Sequence, residues 1–355
     1  MDSPPPPSRP LRHTIRDVAR AAAVSVGTVS LGLADHPSVA EETKAHVRAI
    51  AAQLNYVPSA VGRGLRTRHM NAIGLIIPQS GGHVFSHLYF MDVLAGVSET
   101  LADSAYTLVL STAPHQGDAA TAYLRILRTQ QVDGVILASA ALGDENIARL
   151  QDSPYPFVFI GRYPADATVP AVGVDDIGGA RQATAHLIEH GCFPIAHLSG
   201  PLEHLSARDR RDGYTQALAA AGVPVQAEYC VAGDYSEESG RVGMGALLAL
   251  PNPPRSLFAG NDEMALGALN TLRAAGHVPG TGFPVVGFDD VRLAPLLNPP
   301  LTTIRQPMQQ LGSLAATRLL ALLSGAALDP VQTILPTALI IRQSCGCPKE
   351  VVPPV

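Results

Sequence analysis

Apolar positions along this chain follow two rhythms, one near its start and another over the rest. From Thr14 to Leu33, Val18, Ala19 and Ala22 recur at helical spacing, the pattern breaks at Val24-Ser25, and Val29 and Leu33 resume it. This spacing predicts two short helices meeting at a tight corner. Thr14 is a good N-cap with Asp17 three residues on, and Ser25 can cap the second helix. Such a pair is either a helix-turn-helix, whose second helix lies in the DNA major groove, or an ordinary helical hairpin. Val47, Ile50, Ala51 and Leu54 then predict an amphipathic helix over about Glu41 to Asn55 that closes a three-helix head. Asn55-Tyr56-Val57-Pro58 ends it, because the residue before proline avoids the helical region.

From Ala72 onward, short apolar runs typical of parallel strands buried on both faces alternate with amphipathic stretches. Strands are predicted at 72–78, 106–111, 132–138 and 157–160, with helices at 89–102, 119–130 and 146–151. The alternation starts again at Val172-Gly-Val174. It continues through helices at 177–190, 208–221, 236–249 and 264–275 and strands at 195–198, 229–231, 256–259 and 284–287. A strand at 303–306 and a helix over 307–324 follow. Two doubly wound α/β lobes with a cleft between them account for this order. The first lobe, with only four strands before residue 172, is expected to be completed when the chain returns.

Composition narrows the class. The 355 residues, 46% hydrophobic with a mean hydropathy of +0.17, suffice for two or three domains with real cores. No apolar run reaches the roughly 18 residues of a membrane span. The opening MDSPPPPSRPLRH lacks the apolar core of a signal peptide. Residues 1–12 therefore read as a disordered proline-rich tail and the protein as cytoplasmic. The net charge of −5 argues against a nucleic-acid partner until its distribution is considered. Residues 1–69 carry nine Lys/Arg against five Asp/Glu, a balance of +4 that leaves −9 on the remainder. A basic head on an acidic body fits a DNA-reading module whose body is repelled from phosphate.

The four cysteines are Cys192, Cys230, Cys345 and Cys347, and a cytosolic setting argues against structural disulfides. Cys345-Gly-Cys347 has the look of a metal or redox pair, but no histidine stands near it in the sequence. Both therefore read as reduced thiols, with no metal site and no cofactor expected. Nothing suggests an enzyme: there is no metal-ligand spacing and no phosphate loop. The acids of Gly-Phe-Asp-Asp (287–290) suit gripping a ligand better than acid–base catalysis, and Ser199-Gly-Pro is not a nucleophile elbow. A transporter's solute-binding protein would share the two-lobed body, but the basic head and missing signal peptide weigh against it.

The motifs, taken together and in order, resemble one family. TIRDVARAAAVSVGTVS, AEETKAHVRAIAAQLNYVPSAVGRGL and IGLIIP in the head and its exit are similar to the LacI/GalR bacterial transcription regulators. VDGVIL (132–137), HLIEHGCFPIAHLSGP (186–201), RRDGYTQALAAAG (210–222), FAGNDEMALGAL (258–269), VVGFDD (285–290) and PPLTTIRQP (299–307) extend the resemblance to residues 13–347. It implies an all-α helix-turn-helix head at 13–58, a hinge helix at 59–70 and an α/β, periplasmic-binding-protein-like effector domain at 71–347. The implied N-lobe is about 71–161 plus 301–335, and the C-lobe about 162–300 plus 336–347.

The resemblance also implies partners and site residues. The head reads a pseudo-palindromic operator as a homodimer, which in some members becomes a tetramer. Base reading falls to Val26, Gly27 and Leu31, with Ser25, Thr28, Ser30 and Thr14 for phosphates and Asn55, Tyr56, Ser59, Arg63 and Arg66 around the hinge. The family often has long polar side chains where Gly27 and Leu31 stand, so direct hydrogen-bonded readout is weakened here. Leu65 occupies the position of a minor-groove wedge, flanked by Gly62 and Gly64, which disfavour a preformed hinge helix. A small effector between the lobes meets Arg210, Asn261 and Asp289, flanked by Phe85 and Tyr235, with Arg162, His204 and Ser206 at more variable positions. Paired hydroxyls of a carbohydrate suit this set; a nucleoside or purine-type co-repressor is the alternative.

Overall fold

The structure is a computed structural model and describes residues 13–56, 69–114, 120–129, 131–139, 141, 143–163 and 168–347. The tail at 1–12 and the expected hinge residues Ser59, Gly62, Arg63, Gly64, Leu65 and Arg66 lie outside the described residues. The chain divides into two compact units, residues 1–70 and 71–355.

In the first unit, α1 (Ile15–Ala21), α2 (Val26–Leu33) and α3 (Glu41–Gln53) pack around Val18, Ala19, Ala22, Val29, Val47 and Ala51. The backbone N–H and hydroxyl of Thr14 both donate to Asp17 at 2.8 Å, which holds that carboxyl below its ordinary range and closes the start of α1. The Ser25 hydroxyl accepts the Thr28 N–H at 3.0 Å and starts α2. Between them Ala23 takes a left-handed φ of 54°, which makes the corner. Lys44, buried on α3, pairs with Glu41 at 2.6 Å and Asp35 at 3.2 Å, tying α3 to the loop that precedes it.

The second unit holds two six-stranded sheets. Its elements in order are β1 (Ala72–Ser80), α4 (Gly81–Ser86), α5 (Leu88–Ala102), β2 (Thr107–Ala113), α6 (Ala120–Thr129), β3 (Gly134–Ala138), α7 (Glu145–Gln151), β4 (Phe157–Ile160) and β5 (Ala171–Val174). Next come α8 (Asp176–Glu189), β6 (Ile195–Ser199), α9 (Leu205–Ala220), β7 (Cys230–Ala232), α10 (Glu237–Leu248), β8 (Ser256–Ala259), α11 (Asp262–Ala274) and β9 (Val285–Asp289). The chain ends with β10 (Thr302–Arg305), α12 (Met308–Leu323), β11 (Gln332–Leu335) and β12 (Ala338–Ile340). The sheet orders are β2-β1-β3-β4-β5-β11 and β7-β6-β8-β9-β10-β12, the same winding twice. Only β12, antiparallel to β10, breaks the parallel register among these pairs. Central strands such as Leu75–Ile77 and Val135–Ala138 are buried on both faces, as continuous apolar runs require.

Sheet membership moves two lobe boundaries. β5 pairs with β4, so it completes the first sheet instead of starting the second, and the first crossing between lobes lies at Asp175 rather than at 161. β10 pairs with β9, so the second crossing lies at Gln306-Pro307 rather than at 301. A third crossing runs from β11 to β12. Asp175 N–H donates to Leu335 O at 3.0 Å, and Thr337 Oγ1 to Asp175 O at 3.2 Å, so two crossings are tied together. Apolar periodicity could not decide these memberships, because a short buried strand reads alike in either sheet.

Candidate functional site

In both lobes the winding reverses beside the first strand, with β2 and β3 flanking β1 and β7 and β8 flanking β6. Ligands of open α/β sheets bind at such switch points, beyond the carboxyl ends of the strands. A cavity of about 350 Å³ lies there between the lobes. Gln79, Ser139, Arg162 and Val174 reach it from strand ends of the first lobe, and Pro201, Asp234, Asn261 and Asp289 from those of the second. Gln306, in the second crossing, closes its floor.

Arg210 on α9 is the centre of the polar wall. Its Nε donates to Asp176 Oδ1 at 2.8 Å, an Nη donates to Gly260 O at 2.6 Å, and Asp289 Oδ1 stands 3.5 Å away. The guanidinium also lies 3.8 Å from the centre of the Phe288 ring. Burial alone would lower its pKa; the carboxylates, Asp176 foremost, outweigh that and raise it, so the charge is fixed. Asp289 accepts from Gln306 Nε2 at 2.5 Å, and burial pushes its carboxyl up to about 8 against the pull of Arg210. Asn261 caps α11 by accepting the Met264 N–H at 2.9 Å, while its amide donates to Tyr235 O at 2.9 Å and Glu263 at 2.8 Å. Arg162 makes a two-pronged bond to Asp209 at 2.6 Å, across the lobes. Ser206 and Tyr235 share a hydroxyl–hydroxyl contact at 3.2 Å, and His204 lines the wall beside them.

Non-glycine residues with left-handed backbone gather here: Ser139 (φ 59°), Tyr235 (φ 70°) and Asp289 (φ 118°) all line the cavity. Such conformations cost about 1–3 kcal/mol each and concentrate where function requires them.

Seven of the eight expected effector residues, Arg162, His204, Ser206, Arg210, Tyr235, Asn261 and Asp289, line this one cavity. Phe85 does not: it sits on α4, 63% exposed, outside the wall. Tyr89, Phe90 and Phe159 supply the aromatic surface of the first lobe instead. The short helix α4 carries Phe85 outward, while His83 on it and His87 just after it, their ring centres 4.0 Å apart and tilted at 46°, line the cavity. Burial, reinforced by His87, lowers His83 to about 4, so its ring is neutral. Sequence reasoning missed Asp176 and Gln306 as well; Asp176 stood in plain view as an acid opening a helix, but nothing local linked it to Arg210.

On the head, the expected base-reading residues Val26 (42% exposed) and Gly27 face outward on α2, while Thr28, Ser30 and Leu31 are half-buried. Ser25 and Thr28 hydroxyls lie 2.9 Å apart and engage each other. Thr14 is exposed at the start of α1. Asn55 is exposed with φ 47° and ends α3, and Tyr56 is half-buried against the head's core.

Cys345-Gly346-Cys347 has no histidine near it in the sequence, yet the fold sets Cys347 Sγ 3.4 Å from His186 Nε2 and 3.0 Å from His190 Nε2. The partners lie far back in the sequence, where spacing arguments do not reach.

Among the described residues no helix is long and apolar enough to cross a membrane. Residues 14–59 match the profile described as bacterial regulatory proteins, lacI family. Residues 70–343 match that of periplasmic binding proteins and the sugar-binding domain of the LacI family. The chain is 32% identical over 332 residues to catabolite control protein A of Priestia megaterium, covering 93% of this chain and 98% of that one. It is similar to the solved transcriptional regulator CelR–cellobiose complex, with TM-score 0.72, 32% identity and coverage of 94% and 100%. It is likewise similar to the Lac repressor dimer bound to operator and the anti-inducer ONPF, with TM-score 0.81, 28% identity and coverage of 94% and 99%.

Proposed function

The chain belongs to the LacI family of bacterial regulatory proteins, a non-enzymatic DNA-binding family, and we propose that it is a homodimeric repressor controlled by a neutral, sugar-like effector. The observation that carries this reading is the state of the charges around the cavity. Both arginines that line it are already engaged by carboxylates, Arg210 by Asp176 and Arg162 by Asp209. Glu203 and Asp234 add further acids to the wall. An anionic ligand would meet these carboxylates without a dedicated cation, whereas hydroxyl groups can bond both the fixed guanidinium and its acids. Tyr89, Phe159 and Tyr235 offer faces for the apolar side of a sugar ring. The volume sits near the lower end, about 300 Å³, of ordinary ligand pockets, which suits a small saccharide. The relative solved with cellobiose bound accords with that class.

Ligand touching both lobes favours their closed arrangement, and only such differential contact can shift an equilibrium that the operator-binding head senses. On the head, Val26 and Leu31 suit thymine methyl groups, and with Gly27 between them sequence selection leans on DNA shape and the hinge. A thermal-shift screen of neutral sugars and nucleosides on the full chain tests the effector class, because bound ligand raises the melting temperature by mass action. A neutral mono- or disaccharide is expected to give the largest shift and to change operator affinity. A nucleoside giving the larger shift would replace this reading with the co-repressor alternative.

A further inference from the structure

At the end of α8 remote from the effector cavity, two histidines and two cysteines converge. His186 and His190 are one helical turn apart, so both rings leave the same face. His190 is the C-cap of α8 and keeps helical backbone angles, with φ −80° and ψ −2°. The rings stand 4.7 Å apart at 82°, edge to face. Opposite them the chain turns at Gly346, whose φ of 77° only glycine adopts readily, and Gly346 N–H donates to Gln343 O at 3.1 Å. This turn brings the Cys345 and Cys347 sulfurs to 2.7 Å of each other, beyond the roughly 2.05 Å of a disulfide bond. The ligand atoms of His186, His190 and Cys347 all lie within 4.8 Å of one another; the buried Cys345 sulfur falls outside that trio and adjoins it through Cys347, so it must swing in to serve as the fourth ligand.

We propose that His186, His190, Cys345 and Cys347 form a tetrahedral site for a soft divalent transition metal, zinc foremost. Zinc bonds of about 2.0–2.1 Å to nitrogen and 2.3 Å to sulfur set tetrahedral ligands roughly 3.3–3.8 Å apart. The Cys347 sulfur already meets the two imidazole nitrogens at 3.4 and 3.0 Å, and binding would part the two sulfurs by about 1 Å. Two thiolates and two imidazoles select zinc-like ions over magnesium or calcium, which take oxygen ligands. The negative end of the α8 dipole, where His190 sits, favours a cation. His186 is buried and His190 exposed, so the site has a packed floor and an open entry. Its structural consequence is a clip between α8 and the segment that follows β12. Asp176, the partner of Arg210, lies ten residues earlier on the same helix, about 15 Å away, so this site is separate from the cavity.

The test uses the full chain, reduced and stripped with a chelator, then titrated with Co²⁺ as a spectroscopic probe and with Zn²⁺ as competitor. Wild type is expected to bind stoichiometrically, with a thiolate-to-cobalt charge-transfer band, intense tetrahedral visible bands and displacement by Zn²⁺. Cys347→Ser should cut the charge-transfer band by about half, as expected when one of two thiolates is lost, and the double substitution Cys345→Ser with Cys347→Ser should abolish it. His190→Ala, at an exposed position, should keep the fold of the metal-free protein and weaken binding by at least about tenfold, the loss typical even of outer-shell partners. Wild-type binding without thiolate absorption would overturn the proposal, as would unchanged affinity in His190→Ala. So would a Cys345–Cys347 disulfide that forms in the reduced protein on air exposure despite saturating Zn²⁺.

Discussion

The Asp289 carboxyl is the residue on which the cavity's chemistry turns. It is buried, held at φ 118°, bonded to Gln306 and 3.5 Å from Arg210, and its pKa is raised to about 8. A carboxyl raised in the folded state binds a proton that the unfolded chain, near 3.8, has already lost. Its contribution to stability is therefore fully present below about pH 4 and is lost as pH rises through about 8. Asp289→Asn keeps an acceptor for Gln306 but cannot ionise. Chemical denaturation across this window should show the stability decline flattened in the variant relative to wild type. The same substitution should raise the effector concentration needed for half-maximal change in operator binding, measured with the ligand from the thermal-shift screen. A wild-type pH profile and midpoint in Asp289→Asn would remove Asp289 from both roles.

Among elements, the contact between α5 and α12 is the closest-packed of the first lobe. A Cβ at Gly96 would stand 1.9 Å from Gln309 O, and one at Gly312 would stand 2.1 Å from Val93 O. The two helices approach backbone to backbone, and around them Val93, Val97, Leu311, Ala315 and Leu319 fill the core. Gly312→Ala must push the helices apart, at about 1–3 kcal/mol for overpacking, read as a lower urea midpoint. Gly245 on α10 provides the contrast, since a Cβ there meets nothing within 4 Å. Gly245→Ala should stabilise by up to about 1 kcal/mol through helix propensity alone. Helix and strand bounds were largely legible, with β4 and β8 predicted at their observed limits and most others displaced by one to three residues. The short helix α4 was not foreseen, because its GGHVFS sequence has too few residues for a period and begins with two poor helix formers. Phe85 was expected at the cavity from the family resemblance alone; it lies on α4, 63% exposed and outside the wall.

For the molecule as a whole, Glu263 is a link that spans the lobes without lining the cavity. Its Oε1 accepts the Leu88 N–H at the start of α5 at 3.2 Å and stands 3.6 Å from His87 Nδ1, both in the first lobe. Its Oε2 accepts from Asn261 in the second. A carboxylate at a helix N-terminus meets unpaired amides and the positive end of the dipole. Glu263→Ala should loosen the closed arrangement of the lobes. The expected results are a larger radius of gyration by X-ray scattering without effector and a weaker apparent effector affinity, scaled by the smaller population of the binding-competent state. A variant with unchanged scattering and affinity would refute the link.

The residue pattern by itself determined the helical head, its caps, the repeated α/β alternation and most of the polar cavity wall. These rest on local periodicity, on capping side chains within three residues, and on motifs whose order resembles a known family. Only the tertiary structure decided the rest. Whether β5 and β10 joined one sheet or the other depended on hydrogen-bonding partners distant in sequence. The pairings of Arg210 with Asp176, of Glu263 with α5 and of Cys347 with His186 join residues 34, 175 and 161 positions apart. No periodicity spans such separations; they are fixed when two lobes wound the same way pack their strand ends and helices together.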